Sequence, residues 1–211
     1  MNLLHPPYTL WHLSYVILGI SLAPVIYPTR SIATVVAFFL GLGIGAHALD
    51  ETMGNPLQTR LSKKWLYLVG FVSLGAAISI GLYYTITLSY LLLPIIFAET
   101  FFAISYNLET FGKKFHTAWV FSLSWGMLPL LTGFFVNALT ITPAAILFSI
   151  GAGLLTYVQR ILSIPSRNVR RGHSSSESIE LLRVSEKSLK VLTIVVFLFA
   201  LSFLLERILN L

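Results

Sequence analysis

The sequence predicts an all-α polytopic membrane protein, a bundle of about seven transmembrane helices formed by a single domain over residues 1–211. Three observations predict this class: a mean hydropathy of +0.82, a hydrophobic content of 56% and a charged content of only 10%. Soluble domains carry about 25% charged residues. An aromatic content of 13% argues against a disordered chain. Because the chain has no cysteine, disulfides, thiolate catalysis and cysteine-ligated metal centres are excluded.

Seven stretches of the chain meet the requirement for a transmembrane helix, which is about 20 mainly apolar residues. The predicted spans are 8–27, 31–49, 65–84, 87–108, 117–138, 142–163 and 188–208. Pro28 and Pro56 mark the breaks after the first two spans, and Pro143 opens the sixth. Residues 84–87 contain no glycine, proline or charge, so the boundary between the third and fourth spans is the least defined.

The distribution of positive charge predicts the orientation. Twelve of the 14 Lys and Arg residues lie in or beside loops that follow even-numbered spans, and only Arg30 and Arg207 fall on the other side. Because cytoplasmic loops are enriched in Lys and Arg, we expect a multi-pass cell-membrane protein with a cytoplasmic N-terminus. Its net charge of +6 then reflects this asymmetry and attraction to anionic lipid of the inner leaflet. No nucleic-acid partner is needed to account for the charge.

The segment 164–187 is predicted to be a cytoplasmic loop, because it is basic and rich in serine. It contains Arg167, Arg170 and Arg171, followed by three serines at 174–176. Two forms of the loop agree with this composition. One is a solvated linker with lipid-facing arginines, and the other is a short amphipathic helix on the membrane surface, capped by the serines.

Ionisable side chains gather at the cytoplasmic ends of the second, fourth and fifth predicted spans. A charge inside a membrane span costs at least ~2.5–3.5 kcal/mol, so such residues require a reason. The members of this cluster are His47, Asp50 and Glu51 on the second span, Glu99, Tyr106, Asn107 and Glu109 on the fourth, and His116 at the start of the fifth. Spacings of three and four place His47, Asp50 and Glu51 on one helical face. The pattern predicts a polar site that faces the cytoplasm.

Glu99 is the deepest member of this cluster, about 15 Å from Glu109 at 1.5 Å per residue. Two interpretations of Glu99 stay open: a wall residue of the site, or a protonated carboxyl that is hydrogen-bonded to a neighbouring helix. Asp50 and Glu51 have the simpler alternative of being solvated residues at the end of a span. His12, near the start of the first span, is expected at the membrane interface.

The carboxylates favour a hard cation. Mg²⁺ typically joins one or two carboxylates to phosphate groups. Asp50 and Glu51, beside basic loops, therefore suit a diphosphate carried by a lipid, with the metal neutralising charge on the leaving group. His47 opens an alternative in which the metal is Fe, Zn or Mn.

Two segments resemble motifs of the UbiA-type membrane prenyltransferases. Residues 46–51 and 55–59 are similar to the first motif of that superfamily, in which an Asn/Asp-rich helix end precedes an Arg-Pro-Leu-like loop. Residues 106–107 and 125–129 are similar to its tyrosine-and-basic turn and the apolar, glycine-containing helix that follows. The resemblance covers about residues 8–163. It implies a helical bundle with a lipid-accessible cavity, Mg²⁺, and transfer of a prenyl group from a polyprenyl diphosphate to an acceptor.

The resemblance carries over to Asp50 and Glu51 as metal and diphosphate ligands and to Lys113 or Lys114 as phosphate-binding residues. The remaining members of the cluster would complete the site, handle protons or line its deep wall. The predicted site is therefore His47, Asp50 and Glu51 for the metal, Tyr106, Asn107, Lys113 and Lys114 for the phosphate-bearing ligand, and Glu99, Glu109 and His116 for catalysis.

Two other functions stay open from the sequence. A histidine- and carboxylate-bound Fe, Zn or Mn ion would make the protein a membrane oxidase or hydrolase. A transporter-like protein, or an accessory subunit of a larger membrane complex, would use Glu99 and the histidines for proton coupling or helix pairing.

Overall fold

The computed structural model describes residues 6–53, 59–165 and 176–209, and all regular secondary structure in these residues is helical. The seven long helices are α1 (Pro6–Leu22), α2 (Pro28–Thr52), α3 (Lys63–Thr87), α4 (Leu92–Asn107), α5 (Ala118–Ala138), α6 (Pro143–Leu162) and α7 (Ser176–Leu209). The predicted all-α class and the seven helices are confirmed for this part of the chain. A 3₁₀ turn, Phe111–Lys113, lies between α4 and α5.

Five of these helices are long and apolar enough to cross a membrane, namely α2, α3, α5, α6 and the Ile179–Leu209 part of α7. This number of spans indicates a multi-pass membrane protein. The helices α1 and α4 are shorter, with 17 and 16 residues. Many large apolar side chains of α3, α6 and α7 are exposed on the outside of the bundle, where lipid would cover them.

The helix starts follow local sequence chemistry. Ser62, Thr117 and Thr142 each accept a hydrogen bond from the backbone N–H three residues later, which satisfies an otherwise unpaired donor of the first turn. Pro28 and Pro143 occupy first-turn positions, where a missing N–H costs nothing. The boundary between the third and fourth spans was the least defined by the sequence. In the structure, α3 ends at Thr87 and α4 begins at Leu92.

The helix α7 begins at Ser176 and not near residue 188, so residues 176–187 are not a solvated linker. The alternative of a helix at the serines agrees with this start, but the helix is continuous with the apolar span and is not a separate short one. The physical reason is the run Glu180-Leu181-Leu182-Arg183, which consists of strong helix formers that continue directly into the apolar span. With 34 residues, α7 measures about 51 Å at 1.5 Å per residue and exceeds the roughly 30 Å hydrocarbon core. Residues 166–175 of the predicted loop lie outside the described part of the chain.

The centre of the bundle is α1, which packs mainly against α5 and α7. Two glycines let the backbones of α1 and α5 touch. A Cβ atom at Gly133 would meet the backbone carbonyl oxygen of Val16, and one at Gly19 would meet that of Leu130. Beside this crossing, Trp11 is completely buried. Small residues at such crossings are typical of membrane bundles, where close packing replaces the hydrophobic effect.

Two helices contain π-helical segments, which widen the turn and rotate the residues that follow. They are Phe39–Ala46 in α2 and Leu123–Met127 in α5. The segment in α2 includes Gly45, where an added Cβ would lie 3.3 Å from the backbone oxygen of Gly70 on α3. Such segments are frequent near functional sites, and here each one directly precedes or contains residues of the polar region described below.

The close crossing of α1 and α5 predicts that Gly133→Ala destabilises the protein. The new methyl group would press on the Val16 carbonyl, and overpacking of this kind typically costs about 1–3 kcal/mol. We expect a lower thermal unfolding midpoint of the purified protein in detergent. Gly75→Ala is the matched control, since a Cβ there meets no atom within 4 Å. Equal midpoints for the two variants would contradict the crossing.

Candidate functional site

The candidate site lies at one end of the bundle, which we call the polar end: the start of α1 and α5 and the C-terminal ends of α2, α4 and α6. Tyr106 of α4 is its central residue and is only 2% exposed. Its hydroxyl accepts a hydrogen bond of 2.9 Å from Nε of Arg160 on α6. Its ring packs against Trp125 and His116, with centroid distances of 5.0 and 4.4 Å. The contacts therefore join three helices around one tyrosine.

His116 is half-buried and is held by the backbone of α4. Its Nδ1 lies 3.0 Å from the carbonyl oxygen of Tyr106. A carbonyl oxygen can only accept, so Nδ1 carries the proton of this bond. In the neutral ring, Nε2 then has the lone pair and is the atom able to accept a proton or bind an electrophile. The structure thus brings the predicted residues Tyr106 and His116 together.

His12 belongs to the same region, which the sequence did not predict. The expectation of an interfacial side chain is wrong, because His12 is 2% exposed. Its Nδ1 donates to the Trp125 carbonyl oxygen at 2.7 Å, and its ring lies edge-on to Phe121. Within the described residues, its Nε2 has no hydrogen-bond partner. Arg160 was likewise missed, since by sequence it is simply one more positive charge at the end of a span.

The three residues predicted on one face of α2 make different contacts. Nδ1 of His47 donates to the Leu42 carbonyl at 2.8 Å, five residues back, a spacing that matches the π-helical segment before it. Glu51 is 2% exposed and accepts a hydrogen bond of 2.7 Å from the backbone N–H of Thr59, which anchors the chain beyond α2. Asp50 is half-buried beside His47 and lies within its electrostatic range.

The turn between α4 and α5 presents the predicted basic residues. Lys113 Nζ lies 2.8 Å from Glu109 Oε2, and Lys114 is exposed. Glu109, Phe111 and Lys113 all have positive φ angles, which are unfavourable for residues with a side chain. The buried Asn107 donates to the Ala103 carbonyl at 2.6 Å and so closes the last turn of α4.

Glu99 does not join the polar end. It lies about 12 Å from Asn107 along α4, at 1.5 Å per residue. Its Oε1 is 2.6 Å from the hydroxyl oxygen of Thr132 on α5. The interpretation of Glu99 as a carboxyl hydrogen-bonded to a neighbouring helix therefore agrees with the geometry, and the residue also lines a wall, as described next.

Glu99 and Thr132 line an apolar cavity between α2, α3, α4 and α5. Its volume is about 90 Å³. Lining residues come from positions 34–42 of α2, 74–84 of α3 and 92–103 of α4, with Thr132 and Val136 from α5. The cavity therefore runs about 12–16 Å along the helices. At one end, Leu42 and Ala103 bound it, and these are the residues whose carbonyls accept from His47 and Asn107.

The donor set at the polar end limits how a metal could be held. Across residues 6–53, 59–165 and 176–209, no group of three or more His, Asp or Glu side chains is arranged to hold an ion. A transition-metal centre usually takes three or four protein donors, and that arrangement is not present there. Mg²⁺ needs only one or two carboxylates when phosphates supply the other oxygens, and the half-buried Asp50 fits this role.

Comparisons with known proteins add no assignment: no family model, no curated protein and no solved structure matches the chain. The resemblance to UbiA-type enzymes stays a prediction.

The packing around Tyr106 predicts that Tyr106→Phe destabilises the bundle, because Arg160 loses an acceptor in a buried site. A lost bond to a charged group typically costs about 1–3 kcal/mol. Tyr157→Phe is the control on α6, since in the described residues its hydroxyl makes no hydrogen bond and its ring packs on exposed Trp119. The measurement is the unfolding midpoint in detergent, and equal effects of the two substitutions would refute the role of the Arg160 contact.

Proposed function

We propose that the protein is a membrane-embedded lipid-processing enzyme of the UbiA-like type. In this proposal part of the chain of a polyprenyl-type lipid lies in the apolar cavity between α2, α3, α4 and α5, and its diphosphate lies at the polar end. The observation that carries the proposal is the position of the cavity, which ends about one helical turn from His47 and Asn107. A ligand with an apolar chain and a charged head group matches an apolar cavity that is followed by the polar end.

Asp50 and the basic turn supply the head-group contacts in this proposal. Asp50 would hold Mg²⁺, and Glu51 is the nearest further carboxylate in sequence. When bound, Mg²⁺ would neutralise the charge that develops on a departing diphosphate. Lys114 is exposed near the same end, and Lys113 is held by Glu109. Their ammonium groups would attract the remaining phosphate charge.

The remaining groups would serve the acceptor. In prenyl transfer, the bond between the prenyl carbon and the diphosphate oxygen breaks, a bond to the acceptor forms, and the acceptor loses a proton. His116 presents Nε2 as an atom able to take this proton, because its Nδ1 donates to the Tyr106 carbonyl. The Tyr106–Arg160 hydrogen bond fixes the wall beside it. The backbone of α4 orients the imidazole of His116 through the Tyr106 carbonyl.

We further propose that the polar end faces the cytoplasm in a cell membrane, where anionic lipids attract its Lys and Arg side chains. The charge asymmetry of the sequence supports this orientation.

The proposed orientation predicts the labelling of single cysteines, which the cysteine-free chain makes simple to introduce. Thr140→Cys lies at the end opposite the polar end, and Lys187→Cys lies on the first turns of α7; both positions are exposed. In intact cells, a membrane-impermeant maleimide should modify only the Thr140→Cys variant, and lysis should expose the other. Labelling of only the Lys187→Cys variant in intact cells would show that the orientation is opposite to the one proposed.

The proposed reaction predicts that Asp50→Asn weakens Mg²⁺-dependent binding of geranylgeranyl diphosphate to the purified protein. Loss of a charge-assisted contact worth about 1.5–3 kcal/mol corresponds to roughly 10- to 100-fold in affinity. Titration calorimetry with and without Mg²⁺ measures this effect. Glu186→Gln is the control, because Glu186 is an exposed acidic residue on α7. Unchanged binding in Asp50→Asn would remove the UbiA-like proposal and leave the other functions that the sequence keeps open.

A further inference from the structure

Glu99 lines the cavity, and one of its carboxyl oxygens has no hydrogen-bond partner among the described residues. Its Oε1 contacts the Thr132 hydroxyl, and among the described residues no hydrogen bond reaches its other oxygen. The carboxyl is the one acidic group among the residues that line this cavity. A polar atom exposed to an apolar wall costs free energy unless something pairs with it.

The contacts of Thr132 favour a neutral carboxyl. The Thr132 hydroxyl oxygen lies 2.6 Å from Glu99 Oε1 and 2.9 Å from the Leu128 carbonyl oxygen. A hydroxyl has one hydrogen, and the Leu128 carbonyl can only accept. Both contacts become hydrogen bonds when Glu99 carries a proton and donates to Thr132, which in turn donates to Leu128. An ionised carboxylate would compete with the carbonyl for the single hydrogen.

The lining of the cavity has no positively charged group that could pair with a negatively charged ligand atom beside Glu99. Its lining residues include no Lys, Arg or His. A neutral carboxyl whose proton is used in the bond to Thr132 instead leaves a carbonyl oxygen, which can accept a hydrogen bond from a hydroxyl group. In addition, a hydrocarbon chain gains little by leaving membrane lipid for an apolar cavity, so polar contacts must provide much of the selectivity.

We propose that the cavity binds the part of a lipid chain that bears a hydroxyl group, and that Glu99 accepts a hydrogen bond from this hydroxyl. The inference rests on the proposed function, because it takes the head group to lie at the polar end. The oxygen would then be about 12 Å from the head group, the distance between Glu99 and Asn107 along α4. A plain hydrocarbon chain would leave the free carboxyl oxygen against methylene groups.

The test uses two probes that differ only in this oxygen, 12-hydroxyoctadecanoic acid and octadecanoic acid. The affinity of each probe for the purified protein is measured in detergent. One additional hydrogen bond should make the hydroxylated probe bind about 3- to 10-fold more tightly. Glu99→Gln should keep the preference, because an amide also donates and accepts. Glu99→Leu should abolish it, and Glu206→Leu, at an exposed position on α7, should leave it unchanged.

The outcomes separate the two proposals. Equal binding of both probes to the unmodified protein overturns the role of Glu99 but leaves the chain-binding cavity in place. Loss of the preference in Glu99→Gln also overturns it, because that result would require an ionised carboxylate. Failure of both probes to bind would overturn the cavity as a lipid site and the proposed function with it. If Glu99→Leu does not fold, the comparison of probes on the unmodified protein and on Glu99→Gln is sufficient.

Discussion

Direct contact between the backbones of α1 and α5 is the constraint on which the rest of the structure depends. Within a membrane there is little hydrophobic force between helices, so their association relies on close packing and hydrogen bonds. Gly19 and Gly133 allow the approach. Because α1 is held this close, His12 reaches the Trp125 carbonyl. At the other end, Arg207 of α7 donates to the Ala23 carbonyl and secures the third helix of the centre.

The same packing divides the ionisable groups into two environments. At the polar end, the imidazoles of His12, His47 and His116 are each oriented by a backbone carbonyl. Such carbonyls select the tautomer and aim the second ring nitrogen. Glu99 is instead placed among apolar side chains with Thr132 as its contact. In the proposed function, this division would separate head-group chemistry at the polar end from recognition of the lipid chain beside Glu99.

Sequence patterns predicted the helices well because hydrophobic length and proline position act locally. They were less informative where the same residues are compatible with both a solvated loop and a helix. The start of α7 was left open because the basic, serine-rich composition of 164–187 suits a linker or a short helix, whereas the residues after Ser176 are strong helix formers. The π-helical segment Phe39–Ala46 has no reliable sequence signal, and it widens the turn of the helix directly before His47. The sequence therefore did not predict the hydrogen bond from Nδ1 of His47 to the carbonyl of Leu42, five residues back.

The sequence by itself determined the all-helical, multi-pass architecture and the end of the bundle at which charged residues collect, because both follow from composition along the chain. Only the tertiary structure decided which of these residues meet. His12 and Arg160 entered the polar end, while Glu99 was separated from it, because contacts between residues far apart in sequence depend on helix crossings. Those crossings are set by the fit of small residues against a neighbouring backbone, as at Gly133, and no local pattern encodes that fit.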